Sequence, residues 1–219
     1  MQKFCKWLLL LLFLVSLPVM ADTLISISTP NPFNALSVNT DQVLATAWYL
    51  PQSYDSVRIT ANLWSDGGTY SAYLMDAIGP QATALGNQIA STTFTAGIAP
   101  SDILLWNGLS LGPGFYYLVI GSTDPASFGA WSSEFSPTVA LAPGVVQGDG
   151  SGVQFYAFGT DVNTGYLPAS AFLIDDSSSG GQLLYSVSTA PVPEPSTLLL
   201  LLSGSLSWGL TKIRRRRPF

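Results

Sequence analysis

Histidine is absent from this 219-residue chain, and the single cysteine, Cys5, lies close to its start. Without histidine, neither a Ser-His-Asp nor a Cys-His nucleophilic system can be assembled. A zinc site with nitrogen and sulfur ligands is excluded for the same reason. A pair of carboxylates remains available for catalysis, because glycosidases need only two Asp or Glu side chains about 5 to 10 Å apart.

Basic residues are almost missing from the central part of the chain. Between Asp22 and Ala190 the only base is Arg58, against 12 acidic residues, which gives a net charge of −11. Such a surface has no basic footprint for phosphate groups, so we expect no nucleic-acid partner. The charge favours neutral sugars, cations or basic surfaces as partners.

The first 21 residues have the pattern of a secretory signal peptide. Lys3 and Lys6 precede an apolar run from Trp7 to Val15, and Val19-Met20-Ala21 supplies small residues before a cut. We therefore predict a signal helix in residues 1–21, with cleavage after Ala21. A retained N-terminal anchor is the alternative. Cys5 lies too far from the cleavage point to serve a lipoprotein.

Residues 22–190 have the pattern of short strands. Apolar and polar residues alternate from Val57 to Trp64, turn residues follow, and an aromatic-rich run from Thr69 to Met75 completes a predicted β-hairpin. Further strand candidates are Gln42 to Leu50, Gln88 to Ala96, Ile103 to Trp106, Phe115 to Ile120, Val153 to Phe158, Ala171 to Ile174 and Gln182 to Ser188. Gly and Pro separate most of them, and no long amphipathic helix occurs. The predicted fold is all-β, an antiparallel β-sandwich or jelly-roll ectodomain.

Aromatic residues suggest both core positions and sugar contacts. We assign Trp48, Trp106 and Phe155 to the core, where each would bury a large apolar area. The candidate sugar contacts are Trp64, on the polar face of its strand, Tyr156, which shares a strand face with Gln154, and Trp131, expected in a loop from Gly129 to Ser133.

Most acidic residues stand beside turn-forming residues. Gly follows Asp66 and Asp149, Pro follows Asp124, and Asp102 lies two residues after a Pro. At such positions an Asp side chain commonly caps a turn. Calcium is the alternative for the pairs Asp161 with Asn163 and Asp175 with Asp176. Neither spacing completes a calcium-loop motif, so we interpret these acids as solvated loop residues and expect no cofactor or catalytic residue.

The last 29 residues combine a short motif, an apolar segment and a basic cluster. The motif consists of Val192, Pro193, Glu194, Pro195 and Ser196. A helix from Thr197 to Ile213 would span roughly 25 Å, just enough to cross a ~30 Å hydrocarbon core. The basic stop consists of Lys212, Arg214, Arg215, Arg216 and Arg217. Moving these charges through lipid costs about 2.5 to 3.5 kcal/mol each, so they stay cytoplasmic and residues 22–190 lie outside.

This tail resembles the PEP-CTERM sorting signal of Gram-negative bacteria. The resemblance implies recognition by an exosortase, transient anchoring in the inner membrane by a C-terminal transmembrane helix, and association with exopolysaccharide or cell-surface glycans. A plain C-terminal anchor is the alternative. A second, shorter resemblance covers the run from Leu109 to Ile120, which is similar to the L-x-x-G-x-Y-Y-L-V strand of many surface-anchored β-sandwich ectodomains.

We therefore expect three segments: a signal peptide (1–21), an ectodomain (22–190) and a sorting tail (191–219). The expected function is that of a non-enzymatic protein of the cell surface or extracellular matrix. A carbohydrate-binding module and a carboxylate-dependent glycan hydrolase are the two alternatives.

Overall fold

The protein is built from antiparallel strands throughout the part of the chain that its computed structural model describes. That part comprises residues 21–32, 34–40, 42–78, 87–122, 124, 127–150 and 181–189, together with the main chain of 155–158. It contains no helix, and therefore none that is long and apolar enough to cross a membrane. The strands are β1 Thr23–Ser28, β2 Asn34–Val38, β3 Val43–Leu50, β4 Tyr54–Ser65, β5 Tyr70–Met75, β6 Gln88–Phe94, β7 Ser101–Leu111, β8 Gly114–Ser122, β9 Gly129–Glu134, β10 Thr138–Leu141, β11 Val146–Gln147, β12 Phe155–Phe158, β13 Gln182–Leu183 and β14 Tyr185–Thr189.

The first sheet is organised around β4, its longest strand. β4 pairs with β7 along one edge, and with β14 and then β9 along the other. β1 and β10 extend the sheet beyond β14, while β2 and β13 both pair with β9. In this register Ile59 lies between Val187 and Trp106. On each face of the sheet, the side chains of β4 are therefore aligned with side chains of β14 and β7.

The second sheet is organised around β3 and β8. These strands pair along seven residue positions, β5 and β6 follow beyond β8, and β11 and β12 lie along the other edge of β3. Strand β3 is apolar at nearly every position because both of its faces are covered. Leu44, Trp48 and Leu50 belong to the main core, whereas Val43 and Ala45 belong to a second buried cluster.

One continuous apolar core contains buried side chains from both sheets. Trp48 of the second sheet lies 5.6 Å from Tyr185 of the first, measured between ring centroids, and the Tyr185 hydroxyl donates to the Ala47 carbonyl at 3.4 Å. Trp48 is fully buried, which confirms its predicted core position. Trp106 is only half-buried but packs against the same core. Phe155 lies in β12, whose side chains are outside the described residues.

The all-β prediction is confirmed, but the predicted hairpin is wrong. β4 belongs to the first sheet and β5 to the second, so Asp66–Thr69 carries the chain from one sheet to the other. The predicted strands agree with β3, β6, β8, β12 and the β13–β14 segment, while β7 extends well beyond the predicted Ile103 to Trp106. Strands β1, β2, β9, β10 and β11 were not predicted. The candidate at Ala171 to Ile174, like the two terminal helices, lies outside the described residues.

Candidate functional site

The outward-facing side chains of β4 form a row on the first sheet that includes Trp64, one of the predicted sugar contacts. Val57, Ile59, Ala61 and Leu63 point into the core, so Arg58, Thr60, Asn62 and Trp64 point away from it. Trp64 is half-buried and its ring meets that of Phe128 edge-on, with centroids 6.0 Å apart and planes at 63°. Trp64 therefore lies where the sequence predicted it, on the polar face of its strand.

Two loops are fixed to the end of β4 beside Trp64. The Ser65 amide donates to the Gly97 carbonyl at 2.7 Å. Asp66 and Phe128 bond reciprocally: the Asp66 amide donates to the Phe128 carbonyl, and the Phe128 amide donates to Asp66 Oδ1, each at 3.1 Å. The prediction that Asp66 caps its own turn is therefore wrong. Ser65 has that role, since its Oγ accepts the Gly67 amide at 2.9 Å.

Buried hydroxyl groups stabilise the crossover from β4 to β5, where the chain passes from the first sheet to the second. Ser65 Oγ and the Tyr70 hydroxyl lie 2.7 Å apart in a hydrogen bond, and the Tyr70 hydroxyl also donates to the Gly67 carbonyl at 3.2 Å. A Cβ atom at Gly129 would lie only 2.6 Å from the Tyr70 hydroxyl oxygen. Tyr70 therefore occupies the space that a side chain at residue 129 would need.

The second crossover, from β8 to β9, is fixed by a similar network. Ser122 Oγ accepts the Asp124 amide at 3.1 Å, and Ser127 donates through both its amide and its Oγ to the Asp124 carbonyl. Ser122 Oγ and Ser127 Oγ also hydrogen-bond to each other. Gly68, at φ +90°, has no space for a Cβ because the Ser127 side chain lies against it. The two crossovers are therefore packed together at one end of the sheets.

Trp131 is not available to a sugar. It lies in strand β9 rather than in a loop, its side chain is fully buried, and its indole Nε1 donates to the Leu184 carbonyl at 2.9 Å. The prediction of a loop position is therefore wrong. Tyr156 pairs through its main chain with Ala45 in the second sheet, so it does not share a sheet with Trp64.

Several of the described carboxylates take part in structural hydrogen bonds. Asp102 lies in β7 rather than in a turn, which corrects its predicted position, and its Oδ1 accepts Asn62 Nδ2 at 2.8 Å. Asp76 Oδ1 accepts Asn87 Nδ2 at 2.9 Å. Burial, followed by the charge of Asp149, raises the pKa of the Tyr117 hydroxyl.

No metal cluster is formed by the residues that the structure describes. Among them, no three His, Cys, Asp or Glu side chains lie close enough together to hold an ion. The calcium candidates at Asp161, Asn163, Asp175 and Asp176 lie outside the described residues, and so do the motif and basic stop of the tail.

Comparison with protein families identifies the tail. The model of the PEP-CTERM protein-sorting motif matches residues 191–217, a range that contains the Val192 to Ser196 motif, the apolar segment and the basic stop. No curated protein matches the chain. The predicted resemblance is confirmed, and the motif implies exosortase processing with export to the cell surface through a membrane-anchored stage. The chain thus carries a PEP-CTERM protein-sorting motif, the signal of an exosortase substrate, beside an all-β domain.

Proposed function

We propose that residues 22–190 form a non-enzymatic β-sandwich that is displayed on the cell surface or in the exopolysaccharide matrix. The observation that carries this proposal is the sorting motif at residues 191–217. The signal peptide of residues 1–21 starts export, and the segment from Thr197 to Ile213 holds the chain in the inner membrane until exosortase acts. The basic stop keeps the far end of that segment cytoplasmic.

The core supports a two-layer arrangement of the domain. Its buried cluster takes side chains from β1, β4, β9 and β14 of the first sheet and from β3, β5 and β8 of the second. Two sheets that share one apolar core are the defining feature of a sandwich. Such a domain needs no disulfide, because burial of both inner faces supplies its stability.

The use of the carboxylates supports a non-enzymatic role. Asp66 fixes the Phe128 loop, Asp76 accepts from Asn87, and Asp102 accepts from Asn62. Each of these carboxylates accepts a hydrogen bond from an amide group of the fold. A general acid or base would need an oxygen aimed at a reacting group in a cleft.

The experiment follows the full chain in an exosortase-positive host. We expect a mature form roughly 2 to 3 kDa smaller than the membrane-held precursor, at about 0.11 kDa for each of some 25 residues removed. Glu194→Ala, or Pro193→Ala with Pro195→Ala, should leave the precursor in the membrane and block this shortening. The same host without exosortase is the control. Intact mass spectrometry that finds Arg214–Phe219 on wild-type protein from the positive host would contradict the proposal.

A separate assay tests the non-enzymatic role. The processed protein is incubated with matrix polysaccharide and reducing ends are measured. We expect no release. Release that persists in purified protein and disappears in a carboxylate variant would identify a glycan hydrolase instead.

A further inference from the structure

The outer face of β4 and its neighbours forms a mostly polar strip, interrupted by the exposed side chain of Leu104 opposite Thr60, that ends in an aromatic side chain. We define the outer strip as Arg58, Thr60, Asn62 and Trp64 of β4, with Asp102 of β7 and Ser186 of β14. At two residues per outward position, Arg58 and Trp64 lie about 20 Å apart along the strand. The strip is therefore long enough to contact several consecutive sugar rings.

Cross-strand hydrogen bonds hold the polar part of the strip in place. Thr60 Oγ1 and Ser186 Oγ lie 2.8 Å apart, and Asn62 Nδ2 donates to Asp102 Oδ1 at 2.8 Å. Arg58 lies opposite Ser188 on one neighbouring strand and Asn107 on the other. The Thr60 and Ser186 hydroxyls and the Asn62 Nδ2 group can exchange hydrogen bonds with sugar hydroxyls, whereas Asn62 Oδ1 is buried. Because β-strands carry them, little order has to be gained on binding.

The aromatic end of the strip is also held by the fold. Phe128 is 43% exposed and packs edge-on against Trp64, while the reciprocal Asp66–Phe128 bonds fix the loop that carries it. The Gly97 carbonyl is bonded to Ser65, and the next residue, Ile98, is 84% exposed. The Trp64–Phe128 pair therefore presents an aromatic surface that the fold holds in one position.

Charge favours a neutral partner for this surface. Within the strip, Arg58 and Asp102 carry opposite charges and sum to zero. The segment from Asp22 to Ala190 as a whole carries −11, so an anionic polymer is repelled at long range. A cationic polymer would be drawn to the acidic remainder of the surface, away from its only base. An uncharged polyhydroxyl chain is neither repelled by the net charge nor attracted to other parts of the surface.

We propose that the outer strip binds a neutral glycan chain, with one sugar ring on the Trp64–Phe128 end and the following rings along Asn62, Thr60 and Arg58. This proposal rests on the proposed function, because surface display is what brings the domain into contact with polysaccharide. It goes further by naming the face of the domain and the class of polymer.

The test measures binding of the processed protein to soluble polysaccharides by affinity electrophoresis. The probes are dextran, xyloglucan and galactomannan as neutral polymers, alginate as a polyuronate and chitosan as a polycation. We expect retardation by at least one neutral polymer, persisting at 0.5 M salt, and none by alginate. Trp64→Ala should weaken that binding at least tenfold. Phe135→Ala, which removes an exposed aromatic side chain outside the strip, is the matched control and should change nothing.

A second variant keeps the test decisive if Trp64→Ala lowers the melting temperature. Arg58→Gln alters an exposed side chain of the strip and should weaken neutral-polymer binding about threefold. Binding to none of the neutral polymers, binding to alginate in preference, or equal loss in Phe135→Ala would each overturn the proposal. Shortening of the tail is read from the same samples by mass, so a failure of sorting is distinguished from a failure of the strip.

Discussion

At the scale of single residues, the two crossovers depend on glycines that the sequence presents only as turn formers. Gly68 and Gly129 are required because the Ser127 and Tyr70 side chains fill the space beside them. Of these two, Gly68 also has a left-handed φ. A glycine next to polar residues predicts a turn, but only the folded chain shows which distant side chain approaches it.

Gly129→Ala should therefore lower the free energy of unfolding by about 1 to 3 kcal/mol, the usual range for overpacking a tight site. The new Cβ would lie 2.6 Å from the Tyr70 hydroxyl oxygen, which Ser65 and Gly67 hold in place. Gly97→Ala is the control: its Cβ would meet nothing within 4 Å, so we expect a change within about 0.5 kcal/mol. Urea denaturation measures both. Equal effects would show that Tyr70 can move aside.

At the scale of strands, the sequence predicts those with a long apolar run or a long alternation of polar and apolar residues, and it misses the shorter strands that have neither over enough positions. β3 and β4 were found because their apolar residues recur over eight or more positions. The sequence predicts a loop at β9 because the strand begins with glycine and contains Ser132 and Ser133, which are both buried in the structure. β10 is exposed at every position and β11 has two residues, so neither carries a periodic signal.

The error at the predicted hairpin has a related cause. A Ser-Asp-Gly-Gly turn between two strands is compatible both with a hairpin and with a passage between sheets, since it specifies a change of direction and not a partner. Ser65 and Asp66 select the second outcome through bonds to Gly97 and Phe128, which are far away in the sequence. The position of Trp64 could be predicted from alternation, whereas its contact with Phe128 could not.

The two tryptophans on β4 and β9 should respond very differently to truncation. Trp131→Ala removes a fully buried ring and the Nε1 bond to Leu184, so we expect a loss of about 3 to 5 kcal/mol in unfolding free energy. Trp64→Ala removes a half-buried ring on the outer face, and about 1 kcal/mol is expected. Chemical denaturation of both variants decides this. A larger loss for Trp64 would contradict the inward and outward assignments of the first sheet.

At the scale of the whole molecule, Tyr185 links the sheets through an ionisable group. Burial raises the pKa of its hydroxyl above the ordinary value of 10.0. Above pH 10 the folded chain keeps the Tyr185 proton, whereas the unfolded chain loses it. The contribution of Tyr185 to the free energy of unfolding is therefore fully present below pH 10 and decreases as the pH rises. Burial raises the pKa of Tyr116 and Tyr117 in the same direction.

Alkaline unfolding should therefore be less steep in Tyr185→Phe. This change keeps the ring beside Trp48 and removes the ionisable hydroxyl together with its long, 3.4 Å bond to Ala47. We expect a smaller decrease in unfolding free energy between pH 10 and 11.5 than in the wild type, with stability at pH 8 changed by about 1 kcal/mol or less. Guanidinium titrations at each pH measure the slope. An identical slope in both proteins would assign alkaline unfolding to other groups.

The last prediction concerns the basic stop, whose proposed role is separable from that of the Pro193-Glu194-Pro195 motif. The proposed helix of about 25 Å would be slightly short for the hydrocarbon core, so the charges after it, and not its length, would have to prevent it from passing through. Replacing Arg214 to Arg217 with Ser removes most of that cost, and unprocessed protein should appear in the periplasm or medium. Replacing the same four residues with Lys preserves the charge and should preserve retention and shortening. Cell fractionation with intact mass measurement distinguishes the two variants. If the Lys variant also leaked, the arginine side chains would be recognised individually, and the argument from the energy of charge transfer would fail.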